Sequence, residues 1–111
     1  LFKDNKPHLV FGSPGGSRII TTVLQVALNV MTHGMNVAQA VNSPRMHHQW
    51  LPEVLMIEDG FGSDTTALLK ERGYKIYPSR TMGSVQAIMH ENGYFYGSAD
   101  PRRPSAGVAS P

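Results

Sequence analysis

The chain has 111 residues, 41% of them apolar, enough for one modest hydrophobic core. Its formal charge of +2 comes from basic residues scattered between Lys3 and Arg103, with no continuous stripe interleaved with aromatics, so a nucleic-acid partner is not indicated. There are no cysteines, which removes disulfides and thiolate metal sites, and no apolar run approaches the length of a membrane span.

Leu9-Val10-Phe11 is a short apolar run of β-prone residues. Gly12-Ser13-Pro14-Gly15-Gly16-Ser17-Arg18 follows it, and from Ile19 onward the apolar residues recur at helical spacing. The pattern predicts a strand, a glycine-rich loop and a helix with Ser17 as its N-cap. At a helix N-terminus the first backbone N–H groups lack partners and the macrodipole adds partial positive charge, so an anion or a developing oxyanion is the natural guest. Gly15 and Gly16 carry no Cβ and can bring their amides close to a ligand, while Pro14 fixes one torsion ahead of them. Known phosphate loops do not match. Gly16 is followed by Ser17-Arg18 where a Walker loop needs Lys-Ser/Thr, the Gly12, Gly15, Gly16 spacing is not G-x-G-x-x-G, and Ser13 directly follows Gly12, which excludes G-x-S-x-G. The residues alone leave two readings open, an anion or oxyanion cradle and a plain strand-to-helix turn.

From Ser17 to about Met31 the apolar positions cover most of the helix circumference, which predicts burial on more than one side. Gly34 stops that helix, and Asn36 begins a second one through about Val41, with Gln39 placed for a capping box. Pro44 ends it, and Arg45 to Pro52 is expected to be irregular. Val54-Leu55-Met56-Ile57 reads as a strand, Ser63-Asp64 to about Arg72 as a third helix stopped by Gly73, and Lys75-Ile76-Tyr77 as a short strand. Val85 to His90 and Tyr94 to Gly97 flank Glu91-Asn92-Gly93, whose Asn-Gly pair favours a type I′ turn, so they form an antiparallel hairpin. Interspersed helices and strands ending in an antiparallel pair define an α+β layered architecture.

His47-His48 invites a metal reading, but adjacent side chains diverge and the spacing matches no zinc motif. A structural role is expected for Pro44 to Pro52, two prolines pinning a segment whose polar side chains satisfy buried backbone groups; shaping a substrate cleft is the second reading. Asp100 and Arg102 form the other charged constellation. Exposed ion pairs contribute only about 0–1 kcal/mol, so a solvated turn is the simplest account of them.

Three blocks carry a resemblance: GSPGGSRIITTVLQ from Gly12, NSPRMHHQWLPE from Asn42 and GSADPRRPSAG from Gly97. In order and separation they resemble the C-terminal region of the small subunit of bacterial γ-glutamyltranspeptidases (glutathione hydrolases), which are N-terminal-nucleophile hydrolases. The resemblance implies a single partial domain over 1–111 with an irregular tail at 98–111, forming part of a four-layer αββα sandwich with antiparallel sheets. It implies cleavage of the γ-glutamyl amide of glutathione and transfer to water or to an amino-acid or peptide acceptor, without a cofactor or metal. In the family a threonine exposed by autocleavage is the nucleophile, its own α-amino group acting as base. Residue 1 here is leucine, and Thr21 and Thr22 lie inside a predicted helix, so the nucleophile and most γ-glutamyl-binding residues are expected upstream of Leu1 and the segment alone is expected to be inactive. What this segment would contribute is the oxyanion hole, from the backbone N–H groups of Gly15 and Gly16, which also makes them substrate-binding. The family pattern Ser-Asp-Pro-Arg corresponds to Ser98, Asp100, Pro101 and Arg102, with Ala99 between the first two, and Arg45, Asp100 and Arg102 are expected to be structural anchors. The implied partners are the large subunit and the rest of the small subunit of the same precursor, and the implied location is periplasmic or secreted. The alternatives are a related acylase or capsule-anchoring transpeptidase of the same superfamily, or a non-enzymatic anion-binding or interaction module.

Overall fold

The structure, a computed structural model, describes residues 1–109. A small ribbon of β1 (Phe2–Lys3) and β2 (Lys6–Pro7) leads into β3 (Leu9–Gly12). A 3₁₀ turn, Gly16–Arg18, then runs into α1 (Ile19–Met31), followed by α2 (Val37–Asn42), β4 (Met46–His47), β5 (Leu55–Ile57), α3 (Ser63–Glu71), β6 (Ile76–Pro78), β7 (Gln86–Glu91) and β8 (Tyr94–Ala99). β3, β7 and β8 make an antiparallel sheet in that order; β4, β5 and β6 make a second, mixed sheet, a departure from the expected antiparallel sheets. In the second sheet β4 pairs antiparallel with β5, but β5 and β6 are parallel, because α3 carries the chain back to the starting edge as a crossover.

Local chemistry accounts for most boundaries. Asn36 caps α2 with both bonds of the capping box, Gln39 N–H donating to Asn36 Oδ1 at 2.8 Å and Asn36 N–H to Gln39 Oε1 at 3.1 Å. Asn92 and Gly93 both sit at positive φ, 51° and 82°, between the paired Glu91 and Tyr94, as the hairpin turn requires. Three expectations need correction. Ser17 is not an N-cap: it lies inside the 3₁₀ turn, and its hydroxyl donates to Gln49 Oε1 at 2.8 Å. The stretch from Arg45 to Pro52 is not wholly irregular, since Met46 and His47 pair with Ile57 and Met56 as β4. Ser98 and Ala99, placed in the tail of 98–111, continue β8 opposite Ala87 and Gln86; residues 110 and 111 of that tail lie outside the described residues.

The core is the contact between one face of the β3–β7–β8 sheet and the two helices above it: Leu9, Ala87 and Met89 from the strands against Val26, Val37, Ala40 and Val41, closed by Val85. Strand alternation decides what faces it. In β7, Ala87 and Met89 are buried while Ile88 between them is exposed, and Ile88 pairs with the exposed Val10 of β3. α1 also departs from expectation, because within this chain it is buried on one face only, through Thr22 and Val26, while Ile20, Leu24, Leu28 and Met31 are exposed. The chain thus presents two uncovered apolar surfaces, one on a helix and one on the outer face of a sheet. Expressed alone, it should bind an environment-sensitive hydrophobic dye and self-associate; a monomer with a sharp cooperative melt and no dye binding would be the contrary result.

Candidate active site

The loop between β3 and α1 exposes Pro14, Gly15 and Gly16 at the head of the helix. Gly15 has φ +145° and Gly16 φ +58°, and the first of these is a conformation that a residue with Cβ essentially cannot hold. The turn is closed by Arg18 N–H donating to Gly15 O at 3.2 Å. Among the described residues the N–H groups of Gly15 and Gly16 donate to nothing, so two adjacent donors face solvent at the positive end of α1. Arg18 adds a cation three residues on; it makes no ion pair among the described residues, and its Nη2 lies 3.4 Å from Met56 Sδ.

The loop is backed by residues 82–85. Gly83 is so close that a Cβ there would stand 2.5 Å from Ser13 Oγ and 3.0 Å from Thr22 Cγ2. Ser13 Oγ accepts from Ser84 N–H at 2.9 Å and donates to Pro14 O at 2.8 Å. Behind this segment lies a buried cluster of two arginines and two carboxylates. Arg45 reaches Asp100 Oδ2 at 2.7 Å, Met82 O at 2.7 Å and Val41 O at 2.7 Å. Arg102 is bonded to both oxygens of Glu58 and, at 3.1 Å, to Asp100 Oδ1. Glu58 in turn accepts the N–H groups of Arg45 and Met82, and Asp100 accepts those of Val85 and Arg102. Every residue of 82–85 except Gly83 is therefore held through its backbone by a charged or hydroxyl side chain.

The charges in this cluster cancel, which is the condition under which burying them is tolerable. Burial disfavours the charge on Asp100, but the N–H groups of Val85 and Arg102 and the Arg45 guanidinium outweigh it and hold its pKa below the ordinary 3.8. Burial also acts on both arginines. It pushes Arg45 down despite Asp100, whereas bonds to Glu58 and Asp100 hold Arg102 above its ordinary value. The difference fits their surroundings, since Arg45 is the deeper of the two and its Nε is buried without a partner among the described residues.

Of the residues singled out from sequence, Gly15 and Gly16 form the exposed loop, while Arg45, Asp100 and Arg102 are brought together in one buried cluster rather than at a solvated turn. Sequence reasoning missed Glu58, which joins the arginines, and Ser13, which joins the loop to residues 82–85. The only local hint of Glu58 is its position directly after the apolar strand Leu55–Ile57. His47 and His48 part company: His48 is exposed, and His47 is buried, within 2.7 Å of Thr21 Oγ1 and 2.9 Å of Gln49 Oε1. Gln49 Oε1 also receives the Ser17 hydroxyl, so this network ties β4 to the turn that follows Gly16.

The unit is layered α+β and presents two adjacent amides at a helix head with no partner among the described residues. Residues 1–110 match the family model Gamma-glutamyltranspeptidase, and the chain belongs to that family. It is 55% identical over 103 residues to a glutathione hydrolase proenzyme of Escherichia coli (strain K12), covering 92% of this chain and 18% of that protein. A crystal structure of a mutant Helicobacter pylori γ-glutamyltranspeptidase superposes with a TM-score of 0.88 at 51% identity, over 93% of this chain and 58% of that one. The Bacillus anthracis transpeptidase CapD shares the fold, with a TM-score of 0.77 at 19% identity, over 96% of this chain and 66% of that one. The α+β fold class is that of N-terminal-nucleophile hydrolases, and the chain spans about a fifth of its E. coli relative. No helix among the described residues is long and apolar enough to cross a membrane.

Proposed function

We propose that this chain is the C-terminal segment of the small subunit of a γ-glutamyltransferase and glutathione hydrolase, and that it supplies the oxyanion hole. The carrying observation is the pair of solvent-facing amides of Gly15 and Gly16, unpartnered among the described residues, in a chain of this family. When a nucleophile adds to the γ-glutamyl carbonyl carbon, the carbonyl oxygen takes up negative charge. Two preorganised N–H donors at a helix head stabilise that charge more than they stabilise the neutral carbonyl, and only such a difference accelerates the step. Arg18 adds favourable field for a substrate that carries carboxylates. The nucleophilic threonine and most γ-glutamyl contacts come from the rest of the precursor, whose large subunit and remaining small-subunit segments cover the exposed faces of α1 and the sheet.

In this reading glutathione and related γ-glutamyl compounds are the donors, water or an amino acid or peptide is the acceptor, no cofactor takes part, and the enzyme works in the periplasm or outside the cell. Arg45, Asp100 and Arg102, joined by Glu58, are structural anchors. The likeness to CapD is one of fold, so the acylase and capsule-transpeptidase readings draw no residue-level support from it. A full-length precursor containing this segment should self-cleave and release the chromophore of a γ-glutamyl anilide, whereas the 111-residue chain alone should give no turnover above a mock preparation. Turnover by the isolated chain would refute the division of labour. A full-length protein that neither cleaves itself nor turns over the anilide would favour a non-enzymatic module.

A further inference from the structure

A trans peptide bond holds its C=O and N–H in one plane and pointing opposite ways, so fixing the oxygen of a peptide unit aims its hydrogen. The Gly15 N–H belongs to the unit whose oxygen is that of Pro14, and the Gly16 N–H to the unit whose oxygen is that of Gly15. Both peptide bonds are trans, and both oxygens are held within the loop and its turn: Gly15 O by Arg18 N–H at 3.2 Å, and Pro14 O by the Ser13 hydroxyl at 2.8 Å. The Gly15 oxygen is held by backbone closing a turn. The Pro14 oxygen depends on a side chain.

From this we infer that Ser13 is a positioning residue for the oxyanion hole, acting through the Pro14–Gly15 peptide unit; the inference rests on the proposed role of the Gly15 amide. Ser13 Oγ has one proton and two lone pairs. It spends the proton on Pro14 O and accepts from Ser84 N–H at 2.9 Å, so the three groups form a single head-to-tail chain from Ser84 N–H through the hydroxyl to the Pro14 carbonyl. Each bond in such a chain polarises the next, and an amide whose carbonyl accepts a hydrogen bond is a better donor at its nitrogen. The origin of the chain is fixed as well. Ser84 sits between Met82, whose N–H and C=O are bound by Glu58 and Arg45, and Val85, whose N–H is bound by Asp100. Gly83 makes the space the hydroxyl occupies, since a Cβ there would stand 2.5 Å from it. The ion cluster thus reaches the candidate oxyanion hole through one hydroxyl group.

A serine that merely braced the loop would show itself in stability. One that aims a donor used mainly in the transition state should show itself in kcat. In the full-length processed enzyme, Ser13→Ala is expected to lower kcat for a γ-glutamyl anilide roughly ten-fold, a part of the 10²–10³ that losing a donor outright costs, with KM within about two-fold. Ser13→Thr, which keeps the hydroxyl, is expected to recover most of that loss. Rates are normalised to processed, folded protein, with melting temperatures measured in parallel. Unchanged kcat in Ser13→Ala overturns the inference, as does a loss confined to KM or melting temperature, or a kcat loss that threonine does not recover. Gly15→Ala run alongside separates the two levels. If it loses kcat while Ser13→Ala does not, only the role of Ser13 falls; if Gly15→Ala also keeps full kcat, the oxyanion reading falls with it.

Discussion

Gly15→Ala in the full-length enzyme should lower kcat by about 10²–10³, or ~3–4 kcal/mol of transition-state stabilisation, with a much smaller change in KM. The size follows from the backbone. At φ +145° an alanine is strained whatever space surrounds it, and the nearest atoms to its Cβ, 3.7 Å away at Gly83, are at ordinary contact distance. The loop would therefore relieve the strain by rotating about Gly15, which turns both adjoining peptide units and so both amides. The strain itself costs ~1–3 kcal/mol of stability, and kinetics must be scaled to the folded, processed fraction. Gly16→Ala makes a milder companion. Its φ of +58° lies in the left-handed region that alanine reaches at a cost of ~1–2 kcal/mol, its Cβ meets nothing within 4 Å, and it should lose less kcat than Gly15→Ala. A glycine needed only for the turn would lower the melting temperature and leave kcat per folded molecule intact.

Asp100→Asn should destabilise the folded enzyme by ~3–5 kcal/mol, a large share of the ~5–15 kcal/mol that holds a typical domain together. The side chain is fully buried and takes hydrogen bonds from Val85 N–H, Arg102 N–H, Arg45 Nη1 and Arg102 Nη1. The amide keeps the volume but removes the negative charge, leaving two buried arginines against Glu58 alone, and it sets an NH₂ group where only acceptors fit. Denaturant titration of wild type and variant at neutral pH measures the loss. Acid supplies the matching test. The folded-state pKa of Asp100 is depressed, so its contribution is present above the ordinary 3.8 and is lost as pH falls through the lower folded value. Wild type should lose stability on acidification in that window, and Asp100→Asn, already lacking the contribution, should show a shallower acid slope. Equal slopes would mean that Asp100 is not held ionised by its partners.

What the sequence disclosed, and what it hid, divides along the range of the interactions. The capping box of Asn36 and Gln39 and the Asn92-Gly93 turn are made by residues within a few positions of one another, so composition and spacing reveal them. The parallel pairing of β5 with β6 and the two-residue β4 were not legible, because each is a choice of partner made across the fold. Ser17 has the right residue type for a cap, yet Gln49, 32 positions away, draws its hydroxyl elsewhere. The same limit applies to the ion cluster. Arg45, Asp100 and Arg102 stood out by their block motifs, whereas Glu58, 44 positions from Arg102, sits in an Ile-Glu-Asp-Gly run that reads as a strand end entering a solvated turn. Ser13 was passed over for a different reason: its importance lies in which carbonyl it bonds, and that depends on the loop geometry set by Gly15 and Gly83.

The central claim is that the Gly15 and Gly16 amides receive the oxyanion, and its most direct test is a crystal structure of the full-length processed enzyme bearing a boronic acid analogue of the γ-glutamyl group. In the adduct the boron is tetrahedral and one of its oxygens takes the place of the oxyanion. That oxygen should lie 2.7–3.1 Å from both Gly15 N and Gly16 N. An adduct whose oxygens are all bonded by other donors, with both glycine amides left facing solvent, would contradict it.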